Sequence, residues 1–126
     1  MNTIIAVAIG GAVGSVLRHC VNHAALRWIG PGFPWGTFLV NVVGCFLMGI
    51  VATVFVQRVQ LSPEWRALLA TGFLGGLTTF SAFSLDIASL LAEGHPARAA
   101  LYLGATLVLA MLGFYLGASL TKFVLP

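Results

Sequence analysis

Asn41 is an amide set in an apolar run, with Phe38, Leu39 and Val40 before it and Val42 and Val43 after it. Thr37 lies one helical turn earlier, on the same face. Residues 72–84 read Gly-Phe-Leu-Gly-Gly-Leu-Thr-Thr-Phe-Ser-Ala-Phe-Ser. A glycine pair is thus followed at once by Thr78, Thr79 and Ser81, with Ser84 close behind. Phe80 and Phe83 sit three apart and share one face of any helix they occupy. Tyr102 and Thr106 are again one turn apart. These side chains are amide, hydroxyl and aromatic, with no cation and no acid among them. Asp86, and Glu64 at the start of the same segment, are the only carboxylates in the apolar segments. Amide and hydroxyl groups donate hydrogen bonds, and a phenyl ring has a positive edge. Such a set meets a small, strongly hydrated anion as its water is stripped, and binds it weakly enough to let it leave, which conduction requires. The plain alternative is packing. For Asn41 that is an interhelical hydrogen bond of about 0.6–2 kcal/mol, and for the phenylalanines it is contact with lipid or core.

These residues need spanning elements to hold them. The chain has 126 residues, of which 60% are hydrophobic and 7% charged, with mean hydropathy +1.03. A soluble domain carries about 25% charged residues, so the chain reads as an integral, all-α membrane protein. A spanning helix needs about 20 mostly apolar residues. Four segments qualify, at residues 3–27, 36–57, 64–91 and 97–123, and together they make one domain over residues 1–126. The punctuation between them is Gly30-Pro31-Gly32-Phe33-Pro34, then Gln57-Arg58 and Ser62-Pro63-Glu64, then Glu93-Gly94-His95-Pro96. Ser62 is a candidate N-cap with Pro63 at the first helical position.

Within the third segment, Gly75 and Gly76 each weaken a helix by about 1 kcal/mol relative to Ala. The hydroxyls that follow can satisfy the backbone groups a break sets free. The third helix is therefore expected to break near residues 75–79, and broken helices at membrane depth mark ion or substrate sites. The Gly-x-x-x-Gly spacings at Gly10/Gly14 and Gly113/Gly117 read as close helix packing. The N-terminus has no Lys or Arg ahead of its apolar run and no small-residue cleavage site, so Met1 onward reads as mature chain. Cys20 and Cys45 lie in apolar segments without metal-ligand spacing, and no disulfide is expected. Nothing reads as a catalytic constellation.

The net charge of +3 includes no basic run and does not suggest nucleic acid. Arg18, His19, Asn22, His23 and Arg27 make the second half of the first segment amphipathic. Arg18 either snorkels to the interface or attracts anions at a vestibule mouth, since a buried Arg is costly without water or a partner. His19, His23 and His95 read as interfacial. Four spans place Arg58, Arg66 and Lys122 on one side and Arg18, Arg27 and Arg98 on the other, three against three. Orientation follows an excess of Lys and Arg in cytoplasmic loops, and here there is none. The chain is expected to insert both ways up, so that two antiparallel copies pair as a homodimer about an axis in the membrane plane.

Fluoride is an acceptor only, and the donor inventory suits it. On these residues the chain resembles the Fluc (CrcB) family of fluoride channels over essentially its whole length. The matching stretches are Gly10-Gly11-Ala12-Val13-Gly14-Ser15-Val16-Leu17-Arg18, Gly36-Thr37-Phe38-Leu39-Val40-Asn41-Val42-Val43-Gly44, and all of residues 72–84. The resemblance implies a dual-topology homodimer in the bacterial inner membrane. Its two antiparallel pores would export fluoride passively and protect the cell from fluoride toxicity. It implies a pore asparagine at Asn41, paired phenylalanines at Phe80 and Phe83, and a polar track at Ser81, Tyr102 and Thr106. It also implies a structural Na⁺ at the dimer centre, held by the backbone carbonyls of Gly75 and Thr78. Three positions depart from the family pattern. Ala82 stands where Thr is usual, Ala110 replaces a track serine, and His19 follows the first-helix arginine in place of an aromatic.

Thr79, Thr37 and Arg18 complete the candidate pore set, and lipid is an expected partner. The rival reading is a small four-helix, dual-topology multidrug exporter, which would use an intramembrane carboxylate for proton coupling. The first helix has none, and Asp86 comes late in the third. A non-transporting assembly subunit would account for the glycine packing but leaves the polar break without a role.

Overall fold

The structure, a computed structural model, describes residues 2–57 and 61–125. Arg58, counted in the charge balance above, lies outside the described residues. The described chain is helical, in the order α1 (Thr3–Trp28), α2 (Trp35–Gln57), α3 (Pro63–Arg66), a π-helical stretch (Ala67–Leu74), α4 (Gly75–Leu77), α5 (Phe80–Ala92) and α6 (Pro96–Val124). α3, the π-helical stretch, α4 and α5 together make the third span, Pro63–Ala92. Each of the four spans is long and apolar enough to cross a membrane. Their ends fall within one residue of the expected boundaries.

Local chemistry sets those ends. Asn2 caps α1 by accepting from the Ile4 amide at 2.8 Å. Gly30 and Gly94 have φ of 103° and 79°, the left-handed conformation that closes a helix. At Gly94 the chain turns with the His95 amide reaching back to the Leu90 carbonyl at 2.8 Å. Pro63 and Pro96 open their helices at the first turn, where a missing N–H costs nothing. Arg98 Nη1 donates to the Gly32 carbonyl at 3.3 Å, and Arg66 Nη2 to the Phe55 carbonyl at 3.3 Å. Each arginine thus ties the start of a later span to an earlier end on its own side.

α2 packs mainly on α6, whereas α1 packs on the π-helical stretch and α4. The glycine spacings make both contacts possible. A Cβ on Gly14 would collide with the Phe73 carbonyl, and one on Gly117 with the Phe46 carbonyl. Small residues let helix backbones meet in a setting where lipid tails are as apolar as leucine.

The break falls within the expected 75–79 window, at its C-terminal end. Gly75 is helical, at φ −63° and ψ −36°, and the chain leaves the helix at Thr78 (φ −85°, ψ 155°) and Thr79 (φ −155°, ψ 120°). Gly76 serves packing instead, since a Cβ there would meet the Gly11 carbonyl on α1. The threonines can break the helix because their own groups close its ends. Thr78 Oγ1 donates to the Leu74 carbonyl at 2.9 Å, and Thr79 Oγ1 caps α5 by accepting from the Ala82 amide at 3.1 Å.

Candidate functional site

Asn41 and the break are one structural unit. Asn41 Nδ2 donates to the Thr79 carbonyl at 3.0 Å, and the Thr79 amide donates to Asn41 Oδ1 at 2.8 Å. A single side chain therefore pairs both backbone groups of one extended residue, 38 positions away in sequence. Asn41 is buried, and so is Thr79. At membrane depth unpaired backbone groups cost several kcal/mol each, so this clamp is what lets the chain be non-helical there. Asn41 thus makes the interhelical bond, lines the cavity beside it, and retains a second amide hydrogen.

The clamp leaves other groups unpaired. The Thr79 amide is committed to Asn41 and the Ala82 amide to Thr79 Oγ1. The carbonyls of Gly75 and Thr78 thereby lose the donors four residues ahead that a continuous helix would supply. These are neutral oxygens at the end of a short helix. Among the described residues, no group of His, Cys, Asp and Glu is arranged to hold a metal ion.

A cavity of about 270 Å³ opens beside the clamp, lined among others by Asn41, Thr79, Phe80, Phe83 and Thr106. Thr106 Oγ1 is buried with no hydrogen-bond partner among the described residues. Phe80 and Phe83 have ring centroids 5.5 Å apart, as their spacing predicts, but their surroundings differ. Phe83 is 3% exposed and packs 5.1 Å from the Tyr102 ring, whereas Phe80 is 74% exposed. A shared face does not settle burial, because α6 covers only the Phe83 side. Ser81 is exposed and sits 3.2 Å from Thr79 Oγ1. Thr37 is buried beside Tyr102, one turn below Asn41. Arg18 is half-buried on α1 and does not line this cavity.

Tyr102 is fully buried, and its hydroxyl donates to Asp86 Oδ2 at 3.0 Å. The family resemblance implies a polar-track place for Tyr102, and the sequence by itself names no partner for Asp86. Sixteen residues separate them, and only the packing of α5 on α6 joins them. The one signal available was that an intramembrane carboxylate must find a donor.

The sequence model of a family described as "CrcB-like protein, Camphor Resistance (CrcB)" matches residues 5–118. A protein of Rhizobium etli named "Fluoride-specific ion channel FluC" is 50% identical over 116 residues, covering 92% of this chain and 93% of the relative. A Rhizobium meliloti protein of the same name is 48% identical over 97% of this chain and 98% of its own length. A Caulobacter vibrioides protein, also so named, is 46% identical over 98% of each.

Proposed function

The chain belongs to the CrcB-like family, and from that membership we propose that it is a fluoride channel of the bacterial membrane. The observation that carries the reading is the clamped break beside the cavity. Asn41, Thr79 and Thr106 offer neutral donors, and the edges of Phe80 and Phe83 offer a weak positive face. Among the described residues, no lysine or arginine lines that cavity to trap an anion. Conduction needs such moderate binding. The multidrug-exporter reading loses its support, because Asp86, the carboxylate it would use, already accepts from Tyr102. The direct test is purified protein in liposomes loaded with fluoride. Fluoride should leave passively and chloride should leave far more slowly; equal rates for the two would end the proposal.

The working unit in this reading is a pair of antiparallel copies. Phe80 is exposed at 74% in one chain beside an open cavity, which suits a path completed by a second copy. The charge balance supports insertion both ways up. A cysteine introduced in the 93–96 turn, on a background lacking Cys20 and Cys45, should be labelled from both sides of the membrane by an impermeant maleimide. Labelling from one side alone contradicts antiparallel assembly.

A structural Na⁺ between the copies fits the carbonyls of Gly75 and Thr78. They are hard, neutral oxygens without helical donors, and the same pair from a second copy would offer four oxygens. Convergent carbonyl dipoles repel one another unless a cation lies between them, and backbone carbonyls replace hydration well for such ions. The bound charge would also draw anions to mid-membrane depth. Replacing Na⁺ thoroughly with a large organic cation is expected to depress fluoride flux, and returning it should restore flux. Full activity after prolonged Na⁺ removal argues against the site.

A further inference from the structure

α2 and α6 run in the same direction and in constant register. Thr37 lies beside Tyr102 at one level, and Gly49 lies against the Phe114 carbonyl three turns on, with the same sequence offset. The residues between are therefore layered. Asn41 is level with Thr106 and Cys45 with Ala110, and all four line the same cavity. Each helix presents one residue per turn to this face. In the first two layers both helices bring a polar side chain. In the third, α6 brings only the Ala110 methyl, and α2 brings the half-buried Cys45.

We propose that Cys45 lines the anion path one turn beyond Asn41, where its thiol supplies the donor that α6 lacks at Ala110, and that this thiol is a binding site for soft, thiol-seeking cations. The inference rests on the fluoride-channel reading and names a path residue that departs from the amide and hydroxyl inventory. A thiol is a weak donor, and on geometry alone a half-buried cysteine is a small apolar filler. A second observation separates the two roles. Thr106, 5% exposed, lines the same cavity one turn away with its Oγ1 unpartnered. Buried hydroxyls almost always have a partner, so this one leaves a place at the cavity wall for a small polar occupant, to which a hydroxyl can donate. Cys45 continues that wall. Among the described residues the Cys45 sulfur is the one thiol lining this cavity; the Met111 thioether also lines it, but it cannot ionise to the thiolate that binds soft cations most tightly. Ag⁺ would form an Ag–S bond there as the thiol proton leaves to water, with no change of oxidation state.

The test uses full-length protein in chloride-free, fluoride-loaded liposomes, with Cys20→Ser as background and Ag⁺ as the probe. Ag⁺ should cut fluoride release by about tenfold or more, since a fixed cation in a narrow path plugs it. Cys45→Ala should lower release about 2- to 3-fold, the low end of what one hydrogen bond contributes because a thiol donates weakly, and should no longer respond to Ag⁺. Cys45→Ser should recover the release lost in Cys45→Ala while remaining insensitive to Ag⁺. A packing role predicts no advantage of Ser over Ala. A second readout does not depend on flux: after Ag⁺ treatment the protein is denatured in maleimide, and intact mass reports whether Cys45 was protected. Ag⁺-insensitive release in the Cys20→Ser background, equal inhibition in Cys45→Ala, or an unprotected Cys45 would each overturn the proposal. Protein that passes no fluoride at all sinks the channel reading instead, and mass protection then decides whether Cys45 faces an ion-accessible cavity.

Discussion

Asn41→Asp is expected to abolish fluoride flux near neutral pH, by about a hundredfold or more. The substitution keeps the shape of the side chain and the acceptor that the Thr79 amide uses at 2.8 Å. It replaces the donor facing the Thr79 carbonyl, now met at 3.0 Å, with a second oxygen. Two acceptors then face each other, and a negative charge stands beside the cavity. On insertion scales a carboxylate at the centre of a membrane helix costs about 2.5–3.5 kcal/mol, a factor of about a hundred in population or rate. The protonated acid can both donate and accept, so part of the flux should return as the pH is lowered. Asn41→Ala separates clamp from charge. It leaves both backbone groups of Thr79 without partners, at about 1–3 kcal/mol each. Its signature should be a loss of thermal stability in detergent together with a loss of flux. The measurements are liposome flux at several pH values and unfolding of the purified protein. Normal flux in Asn41→Asp at neutral pH would show that neither the donor nor the neutrality of this position matters.

Phe80→Ile is expected to lower flux about tenfold, the equivalent of roughly 1.4 kcal/mol of ring-edge contact, while leaving the folded chain intact. Phe80 is 74% exposed, so little of its ring supports the core of its own chain. Phe83→Ile should lower flux too, but with a stability penalty of about 1–3 kcal/mol, because its ring fills a buried site against Tyr102. The comparison is informative because the two changes are chemically identical. If the rings act through their edges, both variants lose flux and only Phe83→Ile loses stability. If Phe80 is instead a packing residue between copies, Phe80→Ile should shift the monomer–dimer equilibrium on gel filtration and leave per-dimer flux unchanged. That result would remove Phe80 from the path.

Features with a local cause were legible in the sequence. The four spans follow from apolar length, and their ends follow from Gly30, Gly94, Pro63 and Pro96, whose backbone preferences act within a few residues. The presence of a break is legible in the glycine pair, which weakens the helix, and in the hydroxyls after it, which can satisfy the freed backbone groups; Asn41 stands out because an amide in hydrocarbon must be paired. The residue order of 72–84, together with the stretches 10–18 and 36–44, carries the family resemblance, and reading such stretches needs no tertiary information.

Features that depend on register between helices required the fold. The break sits at Thr78 and Thr79 and spares the glycine pair, because the α2 side chain that compensates for lost helical bonds reaches Thr79 and no other residue of that segment. Gly76 is held in the helix against α1, which lies too close for a side chain there, and Gly75 stays helical beside it. Tyr102 and Asp86 pair because α5 and α6 align them. Phe80 and Phe83 differ because only one of two neighbouring rings falls under α6. Cys45 faces the cavity opposite Ala110 because of the register that α2 and α6 share. A sequence records which side chains need partners through their polarity and size. The identity of the partner is fixed by the relative rotation and rise of two packed helices, which arises from their interlocking surfaces and has no period of its own along the chain.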